Sequence, residues 1–337
     1  MKTFNKRLLL LVLCVFMAFG IAACGGSKEP AQGEKENQKL RVALMMDSSI
    51  TDGGWSQSVY EGLLMAKEEF DIEIAYTDMI GPAEQEAIMR NYAQNYDVIM
   101  ANGYPFEDVI HRVSQEFPNK MFVGIEVPTA GPNLMTARIE RGETGYVQGT
   151  IAARMTKSNK IGYISAFQAP HTDKELEIMK ERIAELNPAA EVIPVYTGDW
   201  ADVNLAKQAA TSLADQGVDI FTSSFHPGNM AAIQEAKERG GIYVIGMQVE
   251  CYDLGPDVVL TSTLTNTSIV VRNAIKDIID GNYRPGTSAT YGYKEGANSL
   301  GKFGENMPEE LIAELEQLVE DIKAGRIDIN TDVPGYD

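Results

Sequence analysis

Asp47, Ser48, Asp52, Trp55, Ser56 and Gln57 crowd into one polar stretch, MDSSITDGGWSQSVYEGL, at residues 46–63. Two carboxylates this close are the raw material of general acid–base catalysis. A loop that caps a helix and hydrogen-bonds a bound molecule needs the same residue types, so the pair alone does not indicate an enzyme. The indole of Trp55 is more specific. It offers a large rigid face, suited either to packing on its own sheet at a helix start or to stacking on a flat ligand.

The elements around this stretch decide what it can reach. The apolar run 42–46 reads as a strand, and Val59, Leu63 and Ala66 mark the buried face of a helix. The polar loop therefore lies between the carboxyl end of a strand and the start of a helix. Ligands of open α/β sheets bind there, where helix N-termini also offer unpaired N–H donors. Ser56 or Asp52 is the expected helix cap. Strand-like runs follow at 72–76, 98–101, 121–125 and 134–139, with helical patterns at 56–70, 82–95 and 105–117. A second series has strands at 161–166, 191–196, 220–223 and 242–245, with helices at 173–186, 202–216 and 229–238. This βαβα order predicts an α/β chain of two doubly wound, mainly parallel sheets, each covered on both faces.

Two such lobes joined edge to edge make a cleft, and the residues after their strands point into it. In the first lobe these are Asp47, Ser48, Asn102 and Tyr104. In the second they are Phe167, Trp200, Phe225, His226 and Gln248, with Asn266 following the run 260–264. Apolar walls with a few placed polar groups are the makeup of a ligand site. Both tryptophans of the chain fall at strand ends, which favours a planar ligand. Each aromatic has the alternative of closing the top of its own lobe's core, and His226 that of an ordinary loop residue. The expected boundaries are 40–157 with 262–282 for the first lobe, and 158–261 with 283–337 for the second. The helix at 143–156 closes the first unit in this reading. Its Gly145 and Gly149 favour close packing on a neighbour, a structural role. Residues 260–281 are expected to cross back to the first lobe, and the acidic helix at 308–323 to be a peripheral cover.

Composition narrows the partners. The chain has 337 residues and a net charge of −19, enough for two cores. Residues 1–23 read as an export signal. Lys2, Lys6 and Arg7 precede an apolar run at 8–19 that is too short to span a bilayer comfortably. Ile21-Ala22-Ala23-Cys24 then resembles a bacterial lipobox, in which Cys24 is lipidated and becomes the mature N-terminus. Removing the signal takes the charge to −22. Such acidity argues against nucleic acid or anionic lipid as partner. Residues 24–39 are polar and rich in Gly, Lys and Glu, a flexible tether. With Cys14 lost and Cys24 lipidated, Cys251 stands alone and no internal disulfide is expected. The only histidines are His111, His171 and His226. No metal-ligand spacing, nucleophile elbow or phosphate-binding glycine loop is present, so neither cofactor, metal nor catalysis is expected. A monomer is the default.

Several pieces resemble the basic membrane protein family of substrate-binding lipoproteins, relatives of PnrA-like purine nucleoside receptors. They are the lipobox, DGGWSQSVYEG, ETGYVQGTIAARMTKSNKIGYISAF, Gly198-Asp199-Trp200, and LADQGVDIFTSSFHPGNMAAIQEAKERG before Ile245-Gly246. The likeness covers roughly residues 40–300. It implies a type I periplasmic-binding fold, a hinge of three crossings and delivery of ligand to an ABC permease. It also places Asp47, Trp55, Ser56 and Gln57 in the first-lobe ligand loop, with Trp55 where the nucleoside branch carries phenylalanine. Two departures stand out. Gly246-Met247-Gln248 replaces the Gly-Val-Asp whose Asp holds ribose, and Ser262 is followed by Thr265 rather than by Lys. The resemblance therefore implies a purine-type ligand, free base before nucleoside, held by an extracytoplasmic lipoprotein at the cell membrane. The same cleft would also serve a lipoprotein sensor that signals to a membrane partner.

Overall fold

The computed structural model describes residues 39–52 and 54–329. The signal-like segment, the lipobox with Cys24, most of the tether and the tail from residue 330 lie outside the described residues.

The first series of elements runs β1 (Leu40–Met45), α1 (Trp55–Glu69), β2 (Ile72–Thr77), α2 (Gln85–Asn95), β3 (Val98–Asn102), α3 (Glu107–Glu116), β4 (Met121–Ile125) and β5 (Leu134–Ile139). The second runs α4 (Arg141–Met155), β6 (Lys160–Ser165), α5 (Pro170–Leu186), β7 (Glu191–Tyr196), α6 (Val203–Asp215), β8 (Ile220–Ser223), α7 (His226–Arg239), β9 (Tyr243–Gln248) and β10 (Val259–Thr265). The chain ends with α8 (Thr267–Ile279), β11 (Ser288–Tyr291), β12 (Asn298–Leu300) and α9 (Glu309–Lys323).

Two six-stranded sheets result, ordered β11-β5-β4-β3-β1-β2 and β12-β10-β9-β8-β6-β7. Strands β1 to β5 and β6 to β10 are parallel, and β12 is the antiparallel edge. The apolar runs are buried on both faces, as parallel strands under two helical layers must be. Val42, Leu44 and Met46 join α1 and α8 in one core, while Ala43 and Met45 join α2 and α3 in another. The second sheet is covered likewise, by α4, α5 and α9 on one face and by α6 and α7 on the other. Strand order reverses between β1 and β3, and again between β6 and β8. Those are the switch points where open sheets bind ligands.

The sheet pairings correct the expected lobe boundaries. Helix α4 packs on the second lobe, with Val147 and Ile151 in its core, and not on the first. Strand β10 stays in the second sheet, so the crossing back to the first lobe begins with α8. Strand β11, expected in the second lobe, pairs with β5 in the first. Helix α9 is more than a cover, because it buries Leu311, Leu315, Leu318 and Val319.

Gly145 and Gly149 do serve close packing. A Cβ on Gly145 would lie 2.3 Å from the Glu175 carbonyl oxygen, and one on Gly149 would lie 2.7 Å from that of Met179. Both partners are backbone atoms of α5 and cannot step aside. Gly145→Ala is therefore expected to lower stability by about 1–3 kcal/mol, read as a lower urea midpoint.

The chain passes between the sheets three times, from β5 to β6, from β10 to β11 and from β11 to β12. These passes are tied together. Asn298 Nδ2 donates to the Glu140 carbonyl at 2.8 Å and to Glu143 Oε2 at 3.0 Å. The Tyr293 N–H donates to Glu143 at 2.7 Å, and the Asn266 N–H to the Ala297 carbonyl at 2.8 Å. Burial pushes the Glu143 carboxyl up, against the donors that favour its charge.

Candidate ligand-binding site

At the first switch point the loop after β1 is folded around Asp52. Its Oδ1 accepts from the Gly54 and Gln57 N–H groups at 2.8 and 3.1 Å, and Oδ2 from the Ser56 N–H at 3.0 Å. Asp52, not Ser56, thus satisfies the first-turn donors of α1 that have no partner within the helix. The carboxylate is spent on local structure, which accounts for the acidic loop without acid–base chemistry. Trp55 is the first residue of α1 and remains 36% exposed. Its Nε1 donates to Asn102 Oδ1 at 2.9 Å. Asn102 ends β3 and is buried. One hydrogen bond therefore spans the gap between β1 and β3. Tyr104, two residues further along in a short turn after β3, is 70% exposed.

The second switch point has a matching bond, from Ser224 Oγ to Ser165 Oγ at 2.7 Å, between the ends of β8 and β6. Above it Trp200 leans on two phenylalanines. Its ring centroid lies 5.9 Å from Phe167, and 5.8 Å from Phe225 in an edge-on arrangement. Such tilted and T-shaped pairs are the favoured aromatic geometries. Phe167 and Trp200 are exposed, whereas Phe225 belongs to the core. His226 opens α7 and is exposed. Gln248 adopts a left-handed backbone, φ 70°, and its Nε2 donates to the Ser224 carbonyl at 3.3 Å. Strain of this kind, at a residue that is not glycine, collects at functional sites.

Not every expected contact has a side chain free to meet a ligand. Ser56 is 1% exposed and Phe225 4%, so both face the interior. Asn266 caps α8, its Oδ1 accepting from the Ser268 N–H at 3.0 Å. Gln57 donates along α1 to Glu61 at 2.9 Å. Asp47 and Ser48 are exposed after β1, joined by a long bond from Ser48 Oγ to Asp47 at 3.4 Å. Sequence reasoning missed Asn229, which is fully buried on α7. Its Nδ2 donates to the Met247 carbonyl at 2.8 Å and so fixes the end of β9.

Cavities elsewhere are less suited to a ring. One of about 620 Å³ lies along α8 and β11, where Arg272 and Lys276 are already paired with Glu69 and Asp280. Another of about 570 Å³ lies between α6 and α7 and holds none of the strand-end aromatics. Among the described residues no cluster suits a metal ion, and no helix is long and apolar enough to cross a membrane.

The family model for the PnrA-like ABC-transporter substrate-binding proteins matches residues 39–332. The chain belongs to this family. A basic membrane protein A1 of Borrelia garinii is 27% identical over 92% of each chain. A purine-binding protein of Brucella abortus is 26% identical over 86% of this chain and 83% of its own. An ABC-transporter solute-binding protein of Aeropyrum pernix has the same fold, with a TM-score of 0.67 and 19% identity over 87% of this chain and 94% of its own. The protein is thus a substrate-binding component of an ABC transporter, and its family is non-catalytic. A ligand and a permease are its partners, and family members work outside the cytoplasm.

Proposed function

We propose that this protein is a lipid-anchored receptor that captures a purine-type ligand between its lobes, free base in preference to nucleoside, and delivers it to the permease. The observation that carries the reading is an exposed aromatic surface at each of the two switch points. Trp55 stands in the first lobe, and Trp200 with Phe167 stands in the second. Closure of the lobes about the three crossings would bring the two surfaces onto the faces of one flat ring. A purine-binding relative adds support.

Preference for the base follows from what is absent around the sugar position. Gln248 carries no charge to hold two ribose hydroxyls, and its amide is engaged with Ser224. Ser262 is buried, accepting from the Cys251 N–H and donating to Glu250. Calorimetry with adenine, hypoxanthine, xanthine, guanosine and inosine tests the preference. At least one base is expected to bind ten-fold or more tightly than either nucleoside, a gap of about 1.4 kcal/mol. Binding of nucleosides alone would reject it. Anchoring rests on the lipobox, and acyl chains hold a protein to a bilayer by their buried CH₂ groups. Cys24→Ser should move the protein from the membrane fraction to the soluble one.

A further inference from the structure

We infer that Asn102 is a positioning residue for Trp55: it sets the indole plane before any ligand arrives and withdraws the indole N–H from recognition. The inference rests on the reading of Trp55 as the ring-stacking surface of the first lobe, and it narrows what that surface can select.

Indole nitrogen is a donor only. The atom of Asn102 that faces Nε1 at 2.9 Å must therefore be the oxygen, which fixes the orientation of the amide. The opposite orientation would set two donors against each other. The orientation is kept even though it leaves Asn102 Nδ2 enclosed without a partner among the described residues.

The two ends of the bond differ in rigidity. Asn102 is 1% exposed and lies opposite Ile125 of β4, and the next N–H, that of Gly103, donates to the Ile125 carbonyl at 2.8 Å. Trp55 stands at the mouth of a polar loop and is 36% exposed. The acceptor is thus held by the sheet, and it holds the indole. A free side chain on that loop would have to be immobilised when the ligand binds, a cost that the hydrogen bond removes in advance.

Two consequences for ligand choice follow. With its N–H committed, the indole offers the ligand its face and not a hydrogen bond. Selection at this surface is by flatness and stacked area, so aromatic heterocycles with different edge groups are accepted there. Discrimination among them falls to other groups of the cleft.

The anisotropy arm uses the Trp200→Phe background, in which Trp55 is the only tryptophan, and affinities are measured with Trp200 intact. Asn102→Leu keeps the side chain's size and removes the acceptor. Asn102→Asp keeps an acceptor. In ligand-free protein, Asn102→Leu is expected to lower the fluorescence anisotropy of Trp55, and Asn102→Asp to leave it near that of the parent. Affinity for the tightest-binding base should fall about two- to tenfold in Asn102→Leu. That loss should vanish when Asn102→Leu is made in a Trp55→Phe background, which has no indole to position. Unchanged anisotropy in Asn102→Leu, or an equal loss of affinity in both backgrounds, overturns the inference. The anisotropy arm needs no ligand, so it judges the role of Asn102 even if no purine binds. Failure of every purine to bind would instead overturn the proposed function.

Discussion

Replacing Trp55 by alanine is expected to weaken purine binding by about 1–3 kcal/mol, a five- to 150-fold rise in Kd. The indole is the largest exposed apolar surface on the first-lobe loop, and no other aromatic of α1 stands at the switch point. Stability should change little. Trp55 is not part of either first-lobe core, and loss of the ring opens Asn102 to water that can replace the lost N–H. Trp55→Phe separates the two contributions of the side chain. It keeps a stacking ring and gives up the bond to Asn102, so its affinity should fall between that of the parent and that of Trp55→Ala. Calorimetry gives the affinities, and thermal unfolding checks the fold. A Trp55→Ala protein that binds as tightly as the parent but melts lower would return the indole to a packing role, and the stacking model would be lost.

Both the legible and the illegible parts of this molecule have physical reasons. Parallel strands buried on both faces leave apolar runs such as 42–46 and 98–101, and those runs reveal two doubly wound lobes. Strands β11 and β12 escape notice because Ser-Ala-Thr-Tyr and Asn-Ser-Leu are short, polar edge pieces. Gly145 and Gly149 announce a close approach but cannot name the neighbour, which is why α4 was expected on the wrong lobe. At the candidate site, Trp55 and Trp200 stand out in the sequence because both tryptophans of the chain follow strand-like runs, and the structure leaves both partly exposed. Ser56 was misplaced because successive helical residues point about a quarter-turn apart, so the neighbour of an exposed Trp55 turns inward. The bond from Trp55 to Asn102 links residues 47 positions apart. Only the adjacency of β1 and β3 brings them together, and no local pattern encodes it.

Glu175 is the other residue whose replacement should have a large effect, this time on stability against pH. Thr172, Glu175, Leu176, Met179 and Ile183 form the inward stripe of α5, so the carboxyl is carried into the second core. It is fully buried. Oε1 accepts from Thr144 Oγ1 at 3.1 Å and from Gln148 Nε2 at 3.2 Å, while Oε2 has no partner among the described residues. Among the described residues Arg141 is the cation that favours its charge, and the carboxylate in turn raises the hydroxyls of Tyr163 on β6 and Tyr293 on the third crossing, both of them already pushed up chiefly by burial. Burial outweighs these groups and pushes the carboxyl up to about 7 from its ordinary 4.5. The folded protein therefore holds this proton more tightly than the unfolded chain. The resulting stabilisation is complete below pH 4.5, falls by about 1.4 kcal/mol per unit as pH rises, and is lost above about 7. The total is on the order of 3 kcal/mol. Glu175→Gln cannot ionise and should be free of that loss, so its advantage over the parent should grow between pH 5 and pH 8. Burial raises Asp97, but hydrogen bonds and charge from Arg41 outweigh it and hold the carboxyl below the usual range, as hydrogen bonds from Arg90 hold Glu116, so both titrate the other way. Because both proteins share those groups, the difference between their urea midpoints at each pH isolates Glu175. A difference that stays flat from pH 5 to pH 8 would mean that Glu175 is ionised throughout, with Arg141 offsetting its burial.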